Sequence, residues 1–203
     1  MTATLPPKPN SRTGEPRPPQ APRFTAFGEL PRRSPKLARY PQAPAGRGPV
    51  LEWYQGTIDG AIISGFVVSG LGFLILCFKD WGFDWMWNTP WLWALVVGVA
   101  PLWAGWQLLC DRWGISAGAD WLAVKGGYVD LYELTEVKVV GTSGGLAWDL
   151  ELTDKKGTEL SLNTREVQAN QALWDLVYNG ILNSVLRSSA KTNQRALDKL
   201  RLR

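Results

Sequence analysis

Four cations near the C-terminus, Arg187, Lys191, Arg195 and Lys199, are spaced by four residues. If this segment is helical, the spacing sets them on one face as a basic ridge, which Arg201 and Arg203 extend. Such a ridge could hold anionic lipid headgroups, since each cation near a charged surface contributes about 1 kcal/mol. It could equally hold a protein partner, or remain solvated. Nucleic acid is not expected as a partner, because from Asp111 onward 12 basic residues face 12 acidic ones.

Catalytic chemistry finds little to work with. The chain has no His, which removes imidazole general bases, His-metal sites and His pH switches. Its two Cys, Cys77 and Cys110, cannot build a four-thiolate zinc site. Gly141-Thr142-Ser143-Gly144-Gly145 lacks the Gly-Lys-Ser/Thr ending of a phosphate loop. Asp149 and Glu151 alternate on one strand face without a partner for acid–base work. Asp130, Glu133 and Glu136 lack calcium-loop spacing. The expectation is therefore a non-enzymatic protein, with no catalytic residue, no metal site and no cofactor.

The elements that must carry these residues differ sharply along the chain. Of 14 Pro, 12 lie in residues 1–49, where nine basic residues oppose only Glu15 and Glu29. Too little apolar surface is present to offset chain entropy, so residues 1–50 are expected to be a disordered, basic cytoplasmic tail. Its alternative use is as a docking tail. Arg32, Arg33, Lys36 and Arg39 could meet anionic lipid, and the Pro-rich part a protein. Phosphorylation of Thr13, Thr25 or Ser34 would weaken the lipid attraction.

Two uncharged stretches follow, Gly60–Phe78 and Trp85–Cys110. About 20 apolar residues cross ~30 Å of hydrocarbon. Residues 51–111 are thus expected to form a transmembrane hairpin with spans of about 58–78 and 89–110. Eight of the 12 Trp fall between Trp81 and Trp113, where indole rings would mark the interfaces. The excess of Lys and Arg before the first span puts both termini in the cytoplasm of a multi-pass inner-membrane protein. Ala61, Gly65 and Ser69 recur every four residues, a spacing that lets helices approach closely, or a second copy dock. Pro101 should kink the second span.

After Asp111 the apolar period changes to two. Tyr128–Leu134, Glu136–Gly141, Leu146–Leu152 and Thr158–Leu162 read as antiparallel strands, with Asp154-Lys155-Lys156-Gly157 as a hairpin turn. Leu173, Trp174, Val177, Ile181, Val185 and Leu186 then form a helical stripe behind an Asn170 N-cap. Gly180 interrupts it at a cost of about 1 kcal/mol relative to Ala.

This pattern resembles the bacterial pleckstrin-homology-like (PH-like) domains of small actinobacterial membrane proteins. The resemblance rests on Arg112-Trp113-Gly114-Ile115-Ser116, on the Val129–Val139 segment, on the Leu150–Gly157 hairpin and on the closing helix. It implies a half-open barrel plugged by a helix, often preceded by two transmembrane helices, and no particular ligand.

The expected fold class is an α+β membrane protein: a transmembrane hairpin, a PH-like domain over residues 112–190, and a basic helix or tail over 191–203. The expected function is a scaffold or lipid- or protein-binding module at the inner leaflet, with a protein partner or homo-oligomer. The alternative is an accessory subunit of a transport, secretion or DNA-transfer complex.

Overall fold

The computed structural model describes residues 5–24, 41–55, 58–79, 88–89, 91–110, 114–124, 126–142 and 147–202. The chain is α+β and divides into two compact units. One comprises residues 1–55 and 113–203, the other residues 56–112.

In the first unit, strands β1 (Glu52–Tyr54), β2 (Ile115–Ala117), β3 (Trp121–Val124) and β4 (Gly127–Asp130) form an antiparallel sheet in that order. Glu52 pairs with Ala117, Ile115 with Val124, and Trp121 with Asp130. The strand β1 thus precedes the helical unit in sequence and pairs with a strand that follows it. The second sheet has the order β7 (Glu159–Asn163), β6 (Ala147–Asp154), β5 (Leu134–Thr142), β8 (Lys191–Thr192). Its three long strands are antiparallel, and β8 joins β5 in parallel.

Period-two alternation explains the core. Val137, Val139, Leu150, Leu152, Leu160 and Leu162 turn inward, while Lys138, Glu151 and Glu159 stay on the other face. The turn between β6 and β7 closes through Asp154, whose Oδ1 accepts from the N–H groups of Lys156 and Thr158 at 2.9 and 3.0 Å. Gly157 takes a φ of +79°, which a side chain would resist.

After a short helix α3 (Thr164–Gln168), the long helix α4 (Gln171–Ser188) lies against both sheets. Asn170 caps it, its side-chain oxygen accepting from Ala172 N–H at 3.1 Å. The stripe Leu173, Trp174, Leu176, Val177 and Ile181 is buried in the core. At its end Ser189 adopts a left-handed φ of 54°, and the chain turns into β8 and then helix α5 (Gln194–Lys199). Asn193 fastens this turn. Its amide donates to Val139 C=O at 2.9 Å and accepts from Val139 N–H at 3.2 Å and Ala196 N–H at 2.8 Å.

The second unit holds helices α1 (Ile58–Lys79) and α2 (Trp91–Cys110), which pack on each other. A methyl built at Gly65 would sit 2.5 Å from the carbonyl oxygen of Ala100, so the backbones approach closely there. Phe73 and Trp93 bring their ring centroids to 6.4 Å. Pro101 lies inside α2. Cys77 is a free thiol.

Among the described residues, no helix is long and apolar enough to cross a membrane. This corrects the expected transmembrane hairpin, the membrane part of the fold class, and the multi-pass inner-membrane placement with its orientation. Ser64, Gly65, Ser69, Gly70 and Gly72 interrupt the apolar residues of α1, and Gly98, Pro101 and Gly105 interrupt those of α2. The expected interface rings Trp81, Trp85, Trp87 and Trp113 lie outside the described residues, as does the side chain of Ala61.

Candidate functional site: a groove holding a proline-rich segment

The proline-rich N-terminal segment is laid against the first unit. Its chemistry explains how. Proline has no N–H, and an extended polyproline strand makes no internal hydrogen bonds, so its carbonyls need outside donors. Helix α4 supplies them. Asn183 Nδ2 donates to Pro6 C=O at 3.4 Å, and Asn179 Nδ2 donates to Pro7 C=O at 3.3 Å. Further along, Trp174 Nε1 donates to Pro22 C=O at 3.0 Å, and Gln171 Nε2 donates to Ala21 C=O at 3.1 Å.

Where the segment does carry N–H groups, acceptors meet them. Asp175 Oδ1 accepts from Ala21 N–H at 2.8 Å, and Gln168 Oε1 accepts from Phe24 N–H at 3.3 Å. Ala21 is only 5% exposed and joins the core. Phe24 sets its ring edge-on to Trp174, with centroids 6.2 Å apart. Helix α4 therefore reads backbone at Pro6–Pro7 and again at Ala21–Pro22, and Gln168 of α3 reads Phe24.

Between these two stretches the segment turns. Asn10 Oδ1 accepts from Arg12 N–H at 2.9 Å, and Gly14 N–H donates back to Asn10 C=O at 2.8 Å. Gly14 has a φ of +72°, and its bare Cα faces Leu51, whose side chain leaves no room for a methyl. Arg17 lies 3.6 Å from Glu52, a carboxylate that also accepts from Asn170 Nδ2 at 3.2 Å.

A second set of contacts is ionic. Asp120, just before β3, and Asp130, the last residue of β4, stand at the same open end of the hairpin, where register brings them together. Arg47 bonds Asp130 at 2.9 Å and lies 3.7 Å from Asp120. Lys8 approaches Asp120 at 3.8 Å and lies 4.7 Å from the ring centroid of Tyr132. Trp121 Nε1 donates to Gly48 C=O at 3.1 Å, holding the second tail stretch in place.

Burial tunes two groups at the groove. Burial pushes the Tyr132 phenol well above its usual range, against the opposing effect of the hydrogen bond from Asn179. The ring facing Lys8 is thus a neutral phenol. Burial also raises the Asp175 carboxyl, although the hydrogen bonds from Ala21 and Gln171 pull it down.

The sequence-derived site residues fall elsewhere. Arg187 occupies the last turn of α4, Lys191 sits in β8 opposite Glu136, and Arg195 and Lys199 lie on α5. Because the chain leaves the helix at Ser189, the four cations do not share one helical ridge. Lys199 instead places its ammonium 4.7 Å from the Trp148 ring centroid. Gly65 and Ser69 lie on α1, in the helical unit. Asp149 accepts from Asn163 Nδ2 at 3.4 Å. Ser143, Gly144 and Gly145 lie outside the described residues, as do Thr25, Arg32, Arg33, Ser34, Lys36 and Arg39. Among the described residues, no cluster of three or more potential metal ligands occurs.

The groove residues were legible in one respect. Gln171, Asp175, Asn179 and Asn183 repeat every four residues on α4, in register with Arg187. Three amides and one carboxylate beside an apolar stripe supply the donors and acceptors that a buried backbone segment needs. No family model, curated protein or solved structure matches this chain.

Proposed function

We propose that this chain is a non-enzymatic scaffold whose first unit is a PH-like module for extended, proline-rich chain. One four-stranded sheet, a second sheet and a helix lying against both support the PH-like reading. The observation that carries the function is the paired donation of Asn179 and Asn183 to the carbonyls of Pro7 and Pro6. These are the groups that polyproline chain exposes and that proline-recognising grooves satisfy. The chain's own N-terminal segment is the resident occupant, and a protein partner with similar chain is the competing one.

The test uses the full chain and a fluorescent synthetic peptide of residues 5–24. In Ala21→Glu, a carboxylate replaces a buried methyl beside Asp175, which displaces the resident segment. The variant should bind the peptide in trans, while the wild type should exclude it. If limited proteolysis shows the segment released and the peptide still fails to bind, the reading is wrong.

A further inference from the structure

The pocket around Lys8 adds a side-chain preference to the groove, and that preference rests on the groove being a site for proline-rich chain. Its two cations are not equivalent. Arg47 is 19% exposed and bonds Asp130 directly, whereas Lys8 is 47% exposed and lies 3.8 Å from Asp120. Arg47 is a wall of the pocket, and Lys8 is its exchangeable occupant.

Asp120 is only partly used by this occupant. Its Oδ2 faces both Lys8 and Arg47, while its Oδ1 is buried and makes no hydrogen bond. A buried carboxylate oxygen left without a donor is costly. An ammonium is a point charge and engages one oxygen well. A guanidinium is a planar fork that can serve both. The Tyr132 ring beside Lys8 also suits a guanidinium, which stacks on aromatic faces.

We propose that the groove selects the tripeptide Pro-Pro-Arg in a protein partner. The two proline carbonyls are read by Asn183 and Asn179, and the guanidinium by Asp120 and Tyr132. The chain's own Pro6-Pro7-Lys8 is then a weaker internal competitor, which leaves when a Pro-Pro-Arg segment arrives. The resident segment acts as an autoinhibitory plug set one residue type below the optimum.

The experiment uses the full chain carrying Lys8→Gln and Ala21→Glu, which together weaken the resident segment. Three fluorescent peptides of residues 5–24 are compared, with Lys, Arg or Gln at position 8. The Arg peptide should bind roughly fivefold tighter than the Lys peptide, and the Gln peptide weakest. Adding Asp120→Asn should erase the Arg advantage while leaving measurable binding through the proline carbonyls. Equal affinity for all three peptides would overturn the selectivity and leave the groove standing. Binding of none of them would overturn the groove and the selectivity together.

Discussion

Gly180 of α4 lies against Leu131 so closely that a methyl at position 180 would fall 2.5 Å from the Leu131 Cβ. The glycine inside the helical stripe is a contact surface, and the helix accepts its poor propensity in exchange for close approach to the β4–β5 connection. Gly180→Ala should therefore destabilise the fold. Overpacking costs about 1–3 kcal/mol and outweighs a helix-propensity gain of about 1 kcal/mol. Urea denaturation followed by Trp fluorescence reads the shift, and a stabilised variant would contradict the packing.

Ser184 ties the same helix to the same connection. Its hydroxyl donates to Leu131 C=O at 2.8 Å and accepts from Leu134 N–H at 3.3 Å, and the residue is fully buried. Ser184→Ala leaves both backbone groups without this partner, at a cost of about 1–3 kcal/mol. Ser184→Cys, which supplies a weak donor and acceptor, should recover only part of the loss. Urea midpoints of the three proteins give the comparison.

Asp175 gives the docked segment a pH dependence with a definite sign. Burial raises its carboxyl above the ordinary 3.8. A carboxyl whose folded value exceeds its unfolded value binds more protons when folded. Its contribution to stability is complete below 3.8 and is lost as pH rises through the raised folded value. Asp175→Asn keeps an acceptor for Ala21 N–H without a charge to bury. The variant should gain on the wild type as pH climbs above that window, and the two should converge at lower pH. Thermal melts at about pH 3.5 and about pH 7 read this, and a gain confined to low pH would contradict it.

Much of the first unit was legible because it obeys simple periods. The Asn170 cap, the Leu173–Ile181 stripe, the hairpin at Asp154 and the alternation of β5, β6 and β7 all follow from local spacing. Strand β1 was not legible, because its partner β2 lies beyond the whole helical unit and three residues carry no period. The basic ridge failed at Ser189, whose left-handed turn no spacing rule anticipates. The apolar runs of α1 and α2 drew a membrane reading that the described helices do not sustain. The docked tail was hidden for a further reason. Its cohesion comes from side chains more than a hundred residues away, such as Asn179 for Pro7, and composition alone registers only the missing apolar surface.

The central claim is that α4, with Gln168 of α3, holds the proline-rich segment in a groove, and two amides report on it directly. Ala21 N–H donates to Asp175, and Phe24 N–H donates to Gln168. Hydrogen exchange of the full chain, read at these two residues, is the most direct measurement. Both should be protected in the wild type, and Asp175→Ala should release Ala21 at least. Exchange of both amides in the wild type at the rate of an unfolded chain would contradict the account.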